Sequence, residues 1–187
     1  MVEAGRDPDA FNVRSVSEAD REPFVRFVAS LSHEELRFLK ENLDPAEDAL
    51  DRMLRVPGPR HQVAVDRSGE IAGVSGAFPG SGWSTHVAEL RVVVSNARRG
   101  QGIGRALARA ALVEALRLGC SHTYVEVVAE QEGLVAMFQD MGFEPEALLQ
   151  DFVRDTAGDF HDLMLLTHRA DEAWGRRRLL GLAGSVT

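Results

Sequence analysis

One stretch in the middle of the chain decides how the rest is interpreted: Val92-Val93-Val94-Ser95-Asn96-Ala97-Arg98-Arg99-Gly100-Gln101-Gly102-Ile103-Gly104-Arg105-Ala106-Leu107. It begins with valines typical of a buried strand, passes through a short turn into alternating glycines, and ends in the start of a helix. Glycines allow backbone N–H groups to point toward a bulky anion. The helix adds its own unpaired N–H groups and the positive end of its dipole. The stretch therefore predicts a phosphate-binding loop, with Arg98 and Arg99 at its mouth.

Three kinds of phosphate-binding loop have glycines at comparable spacing. A nucleoside-triphosphate loop needs Lys followed by Ser or Thr after the last glycine, whereas Arg105 and Ala106 stand there. A dinucleotide loop needs G-x-G-x-x-G or A, but the sixth positions counted from Gly100 and Gly102 are Arg105 and Leu107. The third pattern, Arg/Gln-x-x-Gly-x-Gly/Ala, matches residues 99–104.

The composition indicates a single globular domain. The chain has 187 residues, 44% hydrophobic and 27% charged, with a net charge of −8. A general nucleic-acid-binding protein would need a basic face. One cysteine excludes an internal disulfide, and the Cys/His spacing of metal sites is absent. No apolar run approaches about 18 residues, and residues 1–10 lack the apolar core of a signal peptide. We therefore expect a cytoplasmic protein without nucleic acid, membrane or metal partners.

Hydrophobic periodicity and capping signals predict an alternating order of strands and helices. Strands are expected at 11–16, 61–66, 71–78, 85–94, 122–128, 143–153 and 160–167, and helices beginning at Ser17, Ser32 and Pro45 and spanning 102–118 and 130–141. The order predicts one α/β or α+β domain with a mixed sheet over residues 11–168. Residues 1–10 are expected to be disordered, and residues 169–187 to form a partly helical tail.

The loop and the order of elements together resemble the GNAT N-acetyltransferase superfamily, over about residues 11–168. The resemblance implies a mixed, mostly antiparallel sheet of about six or seven strands flanked by helices. It also implies that the central strands, near 85–94 and 122–128, splay apart to admit acetyl-coenzyme A. The segment 130–143 is similar to the family's second cofactor motif, Asn-x-x-Ala-x-x-x-Tyr-x-x-x-Gly-Phe. The spacing of the motif is kept, but Gln131, Leu134 and Phe138 stand at the positions of its Asn, Ala and Tyr.

The resemblance implies a set of cofactor-binding residues. The central strand is expected to pair with the pantetheine arm, with the N–H of Val93 or Val94 as the oxyanion contact, and the loop is expected to hold the pyrophosphate. The full set is Val92, Val93, Val94, Arg99, Gly100, Gln101, Gly102, Ile103, Gly104, Arg105, Gln131 and Phe138.

The chemistry of acyl transfer to an amine suggests which groups act directly. The amine must lose a proton, and Glu89, on the strand entering the loop, is the first candidate base, with Glu126 on the next strand as the alternative. Phe138 stands where many family members have a proton-donating tyrosine and cannot replace it. Either Tyr124, the only tyrosine, serves as the acid, or none is needed because a thiol of pKa about 8.5 is a fair leaving group; we favour the second. Cys120 is expected to be a buried thiol, not a nucleophile.

These observations predict an N-acetyltransferase in which a primary amine attacks acetyl-coenzyme A directly in a ternary complex. The alternative is a sensor or interaction module that binds acyl-coenzyme A without turnover. Many acidic residues between Ser17 and Val56 and between Glu144 and His168 suggest a cationic acceptor, either a small molecule or a protein, although they also fit an ordinary solvated face. Exposed sheet edges allow a homodimer.

Overall fold

The computed structural model describes residues 11–37, 39–40 and 43–170. Strands and helices follow the predicted order. Their bounds are β1 (Phe11–Ser15), α1 (Arg21–Ser30), α2 (His33–Leu36), α3 (Ala46–Arg55), β2 (Arg60–Asp66), β3 (Ile71–Pro79), β4 (Val87–Val94), α4 (Ile103–Arg117), β5 (His122–Val128), α5 (Glu132–Gln139), β6 (Glu144–Arg154) and β7 (Phe160–Arg169). Among the described residues, no helix is long and apolar enough to cross a membrane.

The described part of the chain forms a seven-stranded sheet in the spatial order β1-β2-β3-β4-β5-β7-β6. Neighbouring strands are antiparallel except β4 and β5, which are parallel. That pair extends over three residue partners and ends with Glu89 opposite Tyr124. Beyond this point β4 continues to Val94 and β5 to Val128 with the two strands apart. The prediction of a mostly antiparallel sheet splayed at its central strands is confirmed.

Helices cover both faces of this sheet. On one face α4 packs on β2, β3 and β4, and its buried alanines let the helix lie close to the strands. On the other face α1 and α3 bury Phe24, Phe27 and Leu50 against the sheet. Val74 and Ala77 of β3 are an odd number of positions apart and belong to different apolar clusters. Because side chains alternate along a strand, the two clusters lie on opposite faces.

Two helices are shorter than predicted. The capping box at Ser32 forms as expected, since the Ser32 N–H donates to Glu35 Oε2 (2.7 Å) and the Glu35 N–H donates to Ser32 Oγ (3.2 Å). The helix it begins, α2, nevertheless covers only His33–Leu36. Helix α5 starts at Glu132 and not Glu130, because a turn joins the Gln131 N–H to the Val128 carbonyl (2.9 Å). The predictions for residues 1–10 and for the tail beyond residue 170 lie outside the described residues.

Candidate functional site

The glycine-rich loop joins the end of β4 to the start of α4 and has the shape that an anion-binding loop needs. Gly100 and Gly102 have φ angles of 75° and 85°, in the left-handed region that glycine enters without strain. The first backbone hydrogen bond of α4 runs from the Ala106 N–H to the Gly102 carbonyl (3.1 Å). Within the described chain, the N–H groups of residues 100–105 therefore lack a backbone carbonyl partner. They are available to phosphate oxygens.

A cavity of about 760 Å³, which we call the loop cleft, lies beside these N–H groups. It contains most of the predicted cofactor-binding residues: Val92, Val94, Arg99, Gly100, Gly102, Ile103, Gly104, Arg105 and Gln131. The predicted set took only Gln131 of this cavity from the second cofactor motif and left out the other residues of the wall that this motif forms: Glu130, Glu132, Gly133, Leu134 and Met137. Three of the predicted residues lie elsewhere: Gln101 is exposed at the tip of the loop, and Val93 and Phe138 line a neighbouring cavity.

Gly104 shows that the loop cleft is shaped for a ligand close to the backbone. A Cβ atom at this position would lie 3.7 Å from both Met137 Sδ and Val94 Cγ2, which are atoms of the two facing walls. These are ordinary van der Waals distances, so the fold itself would accept a side chain. Gly104 therefore leaves open space that belongs to the loop cleft. The N–H row, the volume and this opening fit the phosphates and pantetheine arm of coenzyme A.

The arginines around the loop differ in how firmly they are held. Arg98 forms an ion pair with Asp66 at the end of β2, and Arg105 forms one with Asp140 after α5 (2.8 Å). Arg99 also lines the loop cleft. The ion pair of Arg105 joins the two sides of the loop cleft. Arg105 is thus partly occupied by a structural contact.

A second, smaller cavity of about 100 Å³ lies where β4 and β5 separate, and we call it the strand gap. It shares Val92 and Leu134 with the loop cleft, so the two cavities have a common wall. Its polar lining consists of Lys40, Glu89, Arg91 and Glu126. The structure therefore brings the two predicted catalytic carboxylates to the opening beside the loop cleft.

Glu89 is buried and held by two cations. Its side chain is 8% exposed, and it accepts hydrogen bonds from Arg91 Nε (2.9 Å), Arg91 Nη2 (2.8 Å) and Lys40 Nζ (2.8 Å). Burial acts to raise the pKa of the Glu89 carboxyl, but the hydrogen bonds from Arg91 and Lys40 outweigh burial and hold that pKa below its usual value. Glu89 is consequently an anion at neutral pH and a weak base.

Lys40 connects the two carboxylates across the strand gap. Its Nζ lies 2.8 Å from Glu89 Oε1 and 2.7 Å from Glu126 Oε2. Burial lowers the pKa of Lys40, but the bonds to Glu126 and Glu89 have the larger combined effect and raise it. The Tyr124 hydroxyl lies 3.5 Å from Glu89 Oε2, and burial followed by the charge of Glu89 raises the pKa of Tyr124. Tyr124 therefore keeps its proton at neutral pH.

Phe138, which was expected to bind the cofactor, and Cys120, which was expected to be a buried thiol, are both buried. Phe138 is 3% exposed, and its ring meets Phe143 edge-on with the centroids 5.2 Å apart. Cys120 is 1% exposed, and burial raises the pKa of its thiol. A thiol that stays protonated is a poor nucleophile, so the structural role expected for Cys120 is supported.

The distal pocket is a third cavity, of about 410 Å³, on the far side of the strand gap. It shares Lys40 and Arg91 with the strand gap. Its described lining residues are Lys40, Leu43, Ala49, Arg52, Met53, Val56, Pro59, His61, Phe78 and Arg91. Sequence reasoning identified none of its charged residues, since they come from separate parts of the chain. The acidic residues expected to attract a cationic acceptor are absent from this described lining.

Acidic residues of the last hairpin are also engaged in structural contacts. The Asp155 side chain is fully buried and pairs with Arg37 of the segment after α2 and with His161 Nε2 (3.0 Å). Asp162 Oδ1 accepts the backbone N–H of Asp151 (2.9 Å). His161 Nδ1 continues the contact to Glu130 Oε1 at the edge of the loop cleft (3.1 Å). This cluster ties the hairpin of β6 and β7 to both sides of the site.

Comparison with known proteins agrees with this geometry. Residues 25–143 match the family model described as Acetyltransferase (GNAT) family. The chain is 31% identical over 102 residues to the uncharacterized N-acetyltransferase YjgM of Escherichia coli K12; the match covers 54% of this chain and 60% of that protein's length.

Two solved structures share the fold. A GCN5-related N-acetyltransferase from Kribbella flavida superposes with a TM-score of 0.73 at 24% identity, over 87% of this chain and 99% of the other. YncA from Salmonella typhimurium, described as a putative acetyltransferase with its cofactor acetyl-CoA, superposes with a TM-score of 0.70 at 18% identity, over 87% and 95% of the two chains.

Proposed function

Because the chain belongs to the GNAT acetyltransferase family, we propose that it acetylates a primary amine by direct attack on acetyl-coenzyme A while both substrates are bound. Family membership makes the protein an acyltransferase with acetyl-coenzyme A as acyl donor. The amine, the ternary complex and the residue roles are our proposals. So are a cytoplasmic location and a homodimer.

The shared walls of the three cavities are the observation that carries the proposal. The loop cleft meets the strand gap at Val92 and Leu134, and the strand gap meets the distal pocket at Lys40 and Arg91. A donor held in the loop cleft and an acceptor held in the distal pocket would therefore meet in the strand gap. This arrangement supports one direct transfer, since both reacting atoms can be positioned before the reaction.

The strand gap also supplies backbone groups for the carbonyl. Beyond Glu89, β4 pairs with no described residue on its β5 side, so the N–H groups that face this side can donate to the acyl oxygen as it gains charge. The register with β3 turns the Val93 N–H toward β3, on the same side as the Ser95 N–H that donates to the Ala72 carbonyl (3.1 Å). Of the two expected residues, only Val94 therefore stays our candidate for that contact. When the amine nitrogen bonds to the acyl carbon, the carbon–sulfur bond breaks and the thiolate leaves. A thiol of pKa about 8.5 needs no dedicated acid, which agrees with Phe138 in the tyrosine position.

Glu89 and Glu126 would handle the proton of the amine. Their carboxylates line the strand gap, where they can attract an ammonium group and orient it. Because the pKa of Glu89 is lowered, this carboxylate would hold a proton only briefly and pass it to water. The amine proton thus reaches solvent through the carboxylate side of the strand gap, while the new amide leaves toward the distal pocket.

A sensor that binds acyl-coenzyme A without turnover is the second candidate. Two observations favour it: Phe138 has no proton to donate, and Glu89 is held by two cations that weaken it as a base. A sensor would have the same loop cleft but would release no thiol in the presence of any amine.

Thermal unfolding with acetyl-coenzyme A, followed by an assay of thiol release, tests both candidates. At about 100 times its dissociation constant, acetyl-coenzyme A should stabilise the protein by roughly 2.7 kcal/mol, whereas ATP and NAD at the same concentration should have little effect. Thiol release that depends on an added amine would support the transferase. Stabilisation without thiol release across a broad set of amines would favour the sensor, and no stabilisation at millimolar ligand would contradict both.

A further inference from the structure

The balance of charge changes along the route of the acceptor. The strand gap is lined by the carboxylates of Glu89 and Glu126 and by Lys40 and Arg91, which pair with them. The distal pocket shares Lys40 and Arg91, adds Arg52, and has no carboxylate among its described lining residues. A ligand that spans the boundary therefore meets carboxylates only in the strand gap, and an excess of cations further out.

Arg91 is held firmly at this boundary. Its guanidinium bonds to both oxygens of Glu89 and lies 4.1 Å from the centroid of the Phe78 ring. A guanidinium fixed in this way loses little conformational freedom when a carboxylate binds to it. His61 also lines the distal pocket, and burial lowers its pKa to about 4. The histidine is therefore neutral at physiological pH, and the positive charge of the distal pocket comes from the lysine and the two arginines.

The remaining wall of the distal pocket is apolar. It consists of Leu43, Ala49, Met53, Val56 and Phe78, together with Pro59. Val56 is 50% exposed, so burying it against a ligand would remove apolar surface from water. A volume of about 410 Å³ is in the usual range for a small-molecule site.

From this arrangement we propose that the acceptor is a zwitterionic α-amino acid with an apolar side chain. The proposal rests on the transferase function proposed above. The ammonium group faces Glu89 and Glu126 in the strand gap, the carboxylate faces Arg52 and Arg91, and the side chain packs on the apolar wall. A polyamine fits poorly, because its second ammonium group would lie near Arg52 with no carboxylate among the described lining residues to pair with it. The cationic acceptor that the acidic composition suggested would then carry one ammonium group, placed beside Glu89 and Glu126.

Pairs of amines that differ only in the carboxylate test this proposal. L-Leucine is compared with 3-methylbutylamine, L-phenylalanine with 2-phenylethylamine, and spermidine is included as a polycation. A charge-assisted hydrogen bond corresponds to about tenfold to a hundredfold in kcat/KM, so each amino acid should exceed its decarboxylated partner by about that factor. Equal rates within the pairs, or spermidine as the best substrate, would overturn the proposal.

Two arginines on helix α3 provide a matched pair of variants. Arg52→Gln removes a cation of the distal pocket and should raise KM for the amino acid about tenfold, with a small effect on the decarboxylated amine. Arg55→Gln removes a cation of the same helix that lies outside the distal pocket and is 68% exposed. Arg55→Gln should leave KM unchanged for both the amino acid and the decarboxylated amine. Equal effects of the two variants would contradict a carboxylate contact at Arg52.

A binding experiment separates this proposal from the transferase itself. N-Acetyl-L-leucine and N-acetyl-3-methylbutylamine are titrated calorimetrically into the protein saturated with coenzyme A. If N-acetyl-L-leucine binds more tightly but no acetyl group is transferred to any amine, the distal pocket remains an amino-acid site and the transferase function is overturned. Equal or undetectable binding of both compounds would overturn the amino-acid site, whatever the outcome of the activity assay.

Discussion

The loop cleft and the distal pocket are built in different ways. The loop cleft comes from two short continuous segments, residues 92–105 and 130–137. Within the first segment, the N–H groups of residues 100–105 have no backbone carbonyl partner among the described residues. The distal pocket collects side chains from before α3, from α3 itself, and from β2, β3 and β4. The first is therefore set by local backbone conformation, and the second by the way distant parts of the chain come together.

Because of this difference, we expect the loop cleft to determine which donor binds and the distal pocket to determine which acceptor binds. A donor bound through backbone groups can be the same for many sequences that keep the glycines. An acceptor bound through side chains depends on residues such as Arg52, which can change without affecting the loop. The loop cleft thus indicates the class of reaction, whereas the distal pocket indicates the substrate. The following variants test how independent the two regions are, beginning with the largest expected effect.

Gly104→Val should abolish donor binding without unfolding the protein. A Cβ at this position meets only atoms 3.7 Å away, but the valine side chain would occupy the loop cleft. We expect the roughly 2.7 kcal/mol stabilisation by saturating acetyl-coenzyme A to disappear, as measured by thermal unfolding. Ala110→Val, on the same helix and outside the loop cleft, controls for a β-branched residue in α4. An undiminished shift in Gly104→Val would mean that the donor does not bind beside this loop.

His61 should make the free energy of unfolding depend on pH in the acid range. Its pKa in the folded protein, about 4, is below the unfolded value of 6.5. The unfolded chain therefore binds a proton first as the pH falls, and the stability that neutral His61 contributes is lost between about pH 6.5 and 4. Over this whole pH range, the loss of unfolding free energy is on the order of 3 kcal/mol.

Urea unfolding at several pH values measures the contribution of His61. His61→Gln should reduce the slope of unfolding free energy against pH in this window. His86→Gln, which changes a histidine outside the distal pocket, is the matched control for the substitution itself. Identical slopes for the wild type and His61→Gln would show that His61 is not buried in neutral form.

Lys40→Met should have a smaller effect on stability and a visible effect on pH dependence. Lys40 is 46% exposed, so we expect a loss of only about 1 kcal/mol of unfolding free energy. Removing its charge leaves Glu89 with Arg91 as its cationic partner and raises the pKa of Glu89. The acid limb of the pH profile of kcat/KM should then shift to higher pH. Lys40→Arg, which keeps the charge, should restore most of the wild-type profile. An unshifted limb in Lys40→Met would exclude Glu89 from the proton path.

Local patterns made much of the fold and the loop cleft predictable. The glycine spacing at residues 99–104, the alternation along β2 and β3 and the capping box at Ser32 are all short-range signals. Contacts that join distant residues could not be predicted in the same way. Lys40 and Glu89 are 49 positions apart, and Arg37 and Asp155 are 118 positions apart. Their pairing depends on how the helices and the last hairpin pack on the sheet, which hydrophobic periodicity does not encode.

The acidic composition did not identify the residues of the site, for a related physical reason. Carboxylates between Ser17 and Val56 suggested a cationic acceptor, but Asp51 pairs with Arg21 and Glu35 caps α2. Counting charges in a segment gives no information on which direction each side chain takes. Only the folded arrangement shows that cations, and not carboxylates, reach the described lining of the distal pocket.

The separation of β4 from β5 has a consequence beyond catalysis. Among the described strands, β4 has one hydrogen-bonded neighbour from Leu90 to Val94, which is β3, and its other side is an incomplete sheet edge rich in valine. Such an edge is a template for any extended chain, including the same strand of another molecule. This edge is therefore a point at which molecules of the protein could associate with one another. In the function proposed above, a bound donor would cover the edge and so help to keep the protein in solution.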